Sequence, residues 1–291
     1  MPVRAASSEV SRSEVSTRQV TDAVDTRFLM AELPLAAPPG MGAANLIYQL
    51  SHPGVGYGVI ESKVDSGNLY KHPVKRARTT LTYLAVAMGG NAQDRKIYRD
   101  AVNTAHVRVR SDEASPLAYN AFDPDTQLWV AACLYMAFVD GQRIRKGTKA
   151  DPDEIYQAAS VLGTTLQVPR EMWPANRDEF MKYWNRRLDE VVIDDTVREF
   201  LIGLAKTTFL PAPIWRPLAS WNLFITNGFL PPQLRTQMGF EWTARDERRF
   251  ERWLRVFRLL DRMIPSPLGP AGMRLFIWDM RFRYITGRKP V

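Results

Sequence analysis

At 291 residues, with 45% hydrophobic and 24% charged side chains, the chain has the make-up of an ordinary soluble globular protein, long enough for one sizeable domain. One cysteine (Cys133) and three histidines (His52, His72 and His106) exclude a disulfide framework, a cysteine-rich zinc site and any multi-histidine metal centre without carboxylate help. The formal net charge is +8, and residues 245–291 hold eleven arginines and one lysine against five acids, so nearly all of the excess sits at the C-terminal end.

Residues 1–25 read as a loose polar tail, and Leu33–Gly42 as a Pro/Gly connector. The start has no apolar run of a secretory signal, and no 18-residue apolar stretch follows, which predicts no spanning helix and a cytoplasmic location. Residues 43–291 are expected to form a single helical domain. Its first helix covers Ala43–Leu50 and is interrupted at His52-Pro53-Gly54. Gly54, Gly56 and Gly58 then alternate with Val55, Tyr57 and Val59. That is not G-x-G-x-x-G; small residues here let a flat ligand or another helix approach the backbone. Glu61–His72 reads as a loop.

Pro73 opens a helix to about Met88, with Arg76, Thr80, Leu84 and Ala87 on one side and Gly89-Gly90 as its stop. The spacing predicts another helix over Asp94–Arg110, with Tyr98, Val102, His106 and Val109 in one stripe. Asp123-Pro124 opens a helix apolar nearly all round, from Trp129 to Phe138, closed by Gly141. Shorter helices are expected over Asp151–Leu162, Arg177–Asp189 and Asp195–Leu204. Leu210–Pro217 is a Pro-rich break, Ala219–Phe229 an apolar segment, and Pro231-Pro232 a second break. Thr243 caps the last long helix, which carries Phe250, Trp253, Leu254, Phe257, Leu260 and Ile264 on one side and most arginines on the other. With no alternating strand pattern and no repeat, the fold class is all-α.

A cofactor that needs one protein ligand, such as haem, suits the histidine inventory. His106 lies on an apolar helix face, where it is either a core histidine bonded to a carbonyl or an axial imidazole. Arg108 and Arg110 are either solvated or partners for haem propionates. Arg76 and Thr80, one turn apart, are either a hydrated helix start or a polar patch able to hold dioxygen or developing negative charge. Glu61 is either an exposed glutamate or a desolvated acid that takes up a proton. His52 reads as a second ligand, a propionate partner or a turn residue, His72 as a loop histidine, and Cys133 as a small hydrophobe. No Ser/His/Asp, zincin or P-loop pattern is present. The basic end is a solvated helix face, or a surface for anionic lipid or another partner; no nucleic-acid motif accompanies it.

Five segments in order, QLSHPGVGYGV at 49–59, P-x-x-R-x-x-x-T from Pro73 to Thr80, HVRVR at 106–110, YNAFDPDTQLWVAACL at 119–134 and GFLPPQLRTQMGFEWT at 228–243, resemble the family of MpaB-type oxygenases and latex-clearing proteins. The resemblance spans roughly residues 45–285 and implies an all-helical fold with a globin-like core that binds haem b, and use of dioxygen to cleave carbon–carbon double bonds of isoprenoid chains. By position it makes His106 the proximal iron ligand, Arg76 and Thr80 distal residues, and Glu61 a base. Two positions depart: Thr79 stands where the rubber-cleaving branch has a lysine, and Ala131 where members often have a histidine. The branch that acts on extracellular polymer carries an export signal that this chain lacks. The expected function is thus a haem b-dependent oxygenase using dioxygen on a hydrophobic, isoprenoid- or lipid-like unsaturated substrate. The alternatives are a non-catalytic haem-binding sensor or carrier, and a helical interaction protein with a basic C-terminal face at a membrane or partner.

Overall fold

The computed structural model describes residues 26–62, 64, 68–147 and 153–291; the expected N-terminal tail lies outside them, as do parts of the loops after Glu61 and before Asp153. Thirteen α-helices are described: α1 Pro39–Leu50, α2 Pro53–Ile60, α3 Pro73–Gly89, α4 Ala92–His106, α5 Pro124–Arg145, α6 Asp153–Ala159, α7 Val161–Thr164, α8 Arg177–Asp189, α9 Asp195–Ala205, α10 Ala212–Phe229, α11 Pro232–Gln237, α12 Ala244–Met263 and α13 Leu268–Ile285. The fold is all-α. Among the described residues the sole β feature is an isolated antiparallel bridge between Arg110 and Asn120, and no helix is long and apolar enough to cross a membrane.

The most deeply buried helix is α5. Asp123 caps it by accepting from the Thr126 amide at 2.8 Å, and Pro124 supplies the first helical residue, whose N–H needs no partner. Its side chains are buried on all sides, as expected of a helix apolar all round. It packs against α1 and α12, and α1 in turn packs on α9 and α10. A second layer forms where α3 meets α13, α4, α7 and a 3-10 turn over Arg27–Glu32, which buries Leu29 and Met30. An aromatic cluster joins α5, α6 and α8: Tyr135 meets Phe180 edge-on at 4.7 Å, and Trp129 stacks on Trp184 at 5.1 Å.

Several boundaries differ from expectation. Helix α1 starts inside the expected connector, because Pro39 takes the N-terminal position that proline fits best. The glycine-rich stretch after His52 is itself a helix, α2. Gly141 does not stop α5: it is buried, its ideal Cβ would lie 2.7 Å from Pro34, and the helix runs on to Arg145, ahead of Gly147 at φ +81°. The Pro-rich break is the first part of α10, with Pro217 inside the helix, where the apolar face that buries Ile225 and Phe229 outweighs the local breaker signal.

Gly228 of α10 is a position where close approach demands glycine. An ideal Cβ would sit 2.2 Å from Cδ2 and 2.4 Å from Cε2 of Phe250, a ring that is fully buried and held edge-on by Phe229 at 5.0 Å. Gly228→Ala is therefore expected to destabilise the fold by about 2–3 kcal/mol through overpacking. That is a Tm drop of roughly 5–10 °C by circular dichroism. Gly42→Ala on α1, where nothing lies within 4 Å, is the control and is expected to be neutral or stabilising.

Candidate functional site

Helices α3 and α4 lie against each other and hold Arg76 and His106 between them. The start of α4 is fixed by a capping box, in which the Asn91 side chain accepts from the Asp94 amide and Asp94 accepts from the Asn91 amide, both at 2.9 Å. The same buried Asp94 accepts two bonds from Arg281 of α13, each at 2.7 Å. At its other end α4 stops at His106, earlier than the stripe predicts. The reason is legible in H-V-R-V-R: after His106 the apolar and charged residues alternate, a period of two rather than of a helix. The chain there bridges to residues 119–121, with Ser111 N–H on Tyr119 O at 2.9 Å and Ala121 N–H on Val109 O at 3.0 Å. Arg108 and Arg110 are thus outside the helix and exposed, with no ion pair to a described residue.

His106 is partly buried, meets Phe122 edge-on at 6.2 Å, and makes no side-chain hydrogen bond to a described residue. Burial, helped by the positive charge of Arg76, pushes its pKa down to about 4, so the imidazole is neutral at physiological pH. Arg76 is partly buried too. Burial lowers its proton affinity, the Tyr98 phenol opposes that, and no carboxylate of a described residue pairs with it. A partly buried cation without a carboxylate partner, beside an unengaged neutral imidazole, has electrostatics that favour a group bringing negative charge or a metal.

The threonines of α3 divide by use. Thr79 and Thr82 donate their hydroxyls back to the Arg76 and Arg78 carbonyls, at 3.0 and 2.8 Å. Thr80, one turn after Arg76, makes no side-chain hydrogen bond to a described residue. The Thr79 carbonyl accepts from Tyr98 OH at 2.5 Å, which ties α3 to α4.

Glu61 ends α2. Its Oε2 accepts from Ser115 Oγ at 2.7 Å and from Tyr119 OH at 2.8 Å, leaving Oε1 without a bond to a described residue. Burial and the bond to Glu61 raise the Tyr119 pKa. Gly54 and Gly58, one turn apart on α2, face this segment: ideal Cβ atoms there would stand 3.5 Å from Tyr119 Cβ and from Val109 Cγ1. The expected close approach to the glycines is therefore made by the chain's own bridge segment. Tyr98 was legible on the His106 stripe, but Ser115, Tyr119 and Phe122 were not legible as site neighbours. Tyr119 and Phe122 do lie in one of the five conspicuous segments, Y-N-A-F, but only the bridge carries them back to α2 and α4.

His52 stands at the N-terminal end of α2. It borders a cavity of about 200 Å³ with Pro53, Trp129, Arg187, Glu190 and Val191. Its Nδ1 is buried without a hydrogen bond. Burial lowers its pKa, as does Arg187, against the pull of Asp123, Asp125 and Glu190. On its other side the ring nears the bridge segment: an ideal Cβ on Gly54 would stand 3.4 Å from His52 Cε1 and 3.5 Å from Tyr119 Cβ. His72 precedes α3 and is exposed.

The chain matches the catalytic domain of ER-bound oxygenase mpaB/B' and rubber oxygenase over residues 35–259, which takes in α1 to α11 and most of α12. It belongs to the mpaB/rubber oxygenase family. Uncharacterised proteins of Mycobacterium tuberculosis (strain H37Rv) and Mycobacterium bovis are each 55% identical to it over 251 residues, covering 86% of this chain and 98% of the relative. No solved structure matches it. Both departures from the mpaB/rubber oxygenase pattern have a structural counterpart. The Thr79 hydroxyl is committed to its own helix. Ala131 is buried 3.3 Å from where a Cβ on Gly163 of α7 would stand, so a histidine there would force α5 and α7 apart.

Mpab/rubber oxygenases are haem- or iron-dependent, and the residues present can be tested against that cofactor. No cluster of three or more His, Cys, Asp or Glu able to hold a bare metal ion occurs among the described residues. A haem needs one neutral imidazole free of competing hydrogen bonds, and His106 meets that condition; the uncompensated Arg76 beside it suits an anionic or oxygen-bearing ligand. The donor set fits haem.

Proposed function

We propose that the chain is a haem b-dependent oxygenase that uses dioxygen on a hydrophobic, unsaturated molecule of isoprenoid or lipid-like character. The observation that carries the reading is the pairing across α3 and α4 of an unengaged neutral imidazole, His106, with a partly buried guanidinium, Arg76, that has no carboxylate partner among the described residues. His106 would hold the iron, and the exposed Arg108 and Arg110 would pair with the haem propionates. Bound haem supplies the redox-active iron that allows dioxygen to react with an alkene. The rest falls to the chain. Arg76 donates hydrogen bonds and positive charge to oxygen, and Thr80 adds a hydroxyl that its helix leaves unused. Glu61, with Oε2 held by Ser115 and Tyr119, presents Oε1 to accept and return a proton. Partly buried apolar side chains on the same two helices, Val102 one turn before His106 and Leu84 two turns after Arg76, suit an apolar substrate.

The test is purification with haem supplementation, then oxygen uptake with a panel of unsaturated isoprenoids and lipids beside their saturated counterparts. The expected result is about one haem per chain, with uptake that depends on the double bond. A haem-replete protein that consumes oxygen with none of the panel would sink the catalytic reading, and a protein that takes up no haem would sink the whole of it.

A further inference from the structure

Helix α12 is not amphipathic in the simple inside/outside sense. Its inner face buries Phe250, Leu254 and Phe257. Leu260, expected on that face, turns outward with Val256, Leu259 and Met263 at helical spacings of three and four, and Met263 is 78% exposed. The N-terminal half of the same outer line is basic: Arg245, Arg249 and Arg252, all exposed. The outer face is therefore graded along the helix, from charge to apolar surface, and the apolar end leads into the corner before α13.

Helix α13 repeats the pattern across that corner. Met273, Ile277 and Met280 dock inward, while Leu268, Leu275, Trp278, Phe282 and Ile285 form a stripe roughly 100° wide on the other side. Trp278 and Phe282 stack on each other at 5.7 Å in solvent, and Trp278 is 65% and Ile285 81% exposed. Exposed apolar stripes of this kind, left uncovered by the described residues, call for something placed against them.

Charge identifies the occupant. The acids of the two helices are spent internally: Asp246 on the Thr243 cap and Arg249, Glu247 on Trp242 and Arg143, Glu251 on Arg143, Asp261 on the Leu35 and Ala36 amides and Arg145, Asp279 on Arg78 and Arg283. Among the described residues, Arg252, Arg255, Arg262 and Arg274 have no acidic partner. An open groove of about 270 Å³ on α12 is lined by Arg249, Arg252, Trp253 and Val256, so guanidinium groups stand beside apolar surface there. A second copy of this face would bring arginine against arginine. An anionic lipid leaflet offers phosphate to the basic half and acyl chains to the apolar corner, with tryptophan at the boundary between them.

We propose that the outer faces of α12 and α13 dock peripherally on an anionic phospholipid bilayer, with Arg252 taking a lipid phosphate and the Leu259–Met263 end and the Trp278–Phe282 stripe entering the interface. The inference stands apart from the reaction and does not need haem. The test is co-sedimentation of the full chain with vesicles of phosphatidylcholine alone, or with roughly one third phosphatidylglycerol. The expected result is partitioning onto the anionic vesicles that falls about tenfold or more between low and high salt. Leu259→Ser/Met263→Ser and, separately, Trp278→Ser are each expected to weaken it at least about tenfold with helix content unchanged, and Arg252→Gln to lower the preference for anionic over neutral vesicles. Absence of binding, or equal binding to neutral vesicles, overturns the proposal. So does a dimer in solution that Leu259→Ser/Met263→Ser dissolves while vesicle binding stays undetectable, since the face would then belong to a second copy.

Discussion

The His106→Ala protein, reconstituted with haem b, is expected to show no Soret band beyond that of free haem, whereas His52→Ala and His72→Ala keep the band of the parent. The reasoning rests on availability. An axial ligand must be neutral and free of other bonds, and His106 is both, because burial and the adjacent Arg76 push its pKa down to about 4. The same shift gives a pH signature that a core histidine on a carbonyl would not share with ligand loss. In the unfolded chain the imidazole takes a proton near 6.5, in the folded chain only near 4. Between those values the unfolded state binds more protons, so stability rises with pH across that window. The apoprotein therefore loses up to about 3 kcal/mol as pH falls through it. His106→Ala removes this dependence. In the parent, haem is held as the pH falls below 6.5 and is displaced by protons only as it approaches 4. Haem loss centred near pH 6.5, or a Soret band that survives His106→Ala, would refute the assignment.

What could be read from the sequence and what could not follows from the range of each interaction. The helices α3, α5, α8 and α12 were legible because their signals are local: prolines at first helical positions, Asp123 and Thr243 as caps, apolar periods of the right length. The errors are also local signals, each overruled by packing. Gly141 and Pro217 are breakers in isolation, but Gly141 lets Pro34 approach and Pro217 is carried by the buried face of α10. At the site, residue type and order pointed to His106, Arg76, Thr80 and Glu61, yet each also had an ordinary explanation. For Arg76 it was solvation at a helix start. The structure covers it in part instead, because Tyr98 bonds to the Thr79 carbonyl and draws α4 over the first turns of α3. That contact spans two helices, and no spacing within either one encodes it. His52 shows the converse: it sits in a conspicuous segment, but the charges around it are those of Arg187, Asp123, Asp125 and Glu190, not those around His106.

Arg76→Met is expected to move stability and activity in opposite directions. The guanidinium is partly desolvated and lacks a carboxylate partner among the described residues, so the fold bears the cost of that partial burial without the attraction that would offset it. Methionine keeps much of the apolar stem and removes the charge. The apoprotein should gain about 1–2 kcal/mol, seen as a higher urea midpoint at constant slope. The His106 pKa should rise from about 4, though not to 6.5, because burial, the larger cause, remains. Haem content should be unchanged, while oxygen uptake with an accepted substrate falls by roughly 10²-fold or more, the usual loss when a charged donor to developing oxyanion charge is removed. Arg76→Lys separates charge from geometry: it keeps the positive charge and the stability cost but lacks the planar fork, so activity should return only in part. A purely structural arginine predicts the reverse on both counts, with Arg76→Met less stable and no less active per folded, haem-loaded molecule. A residue whose removal strengthens the fold and disables the reaction is one the fold tolerates for what it does to oxygen.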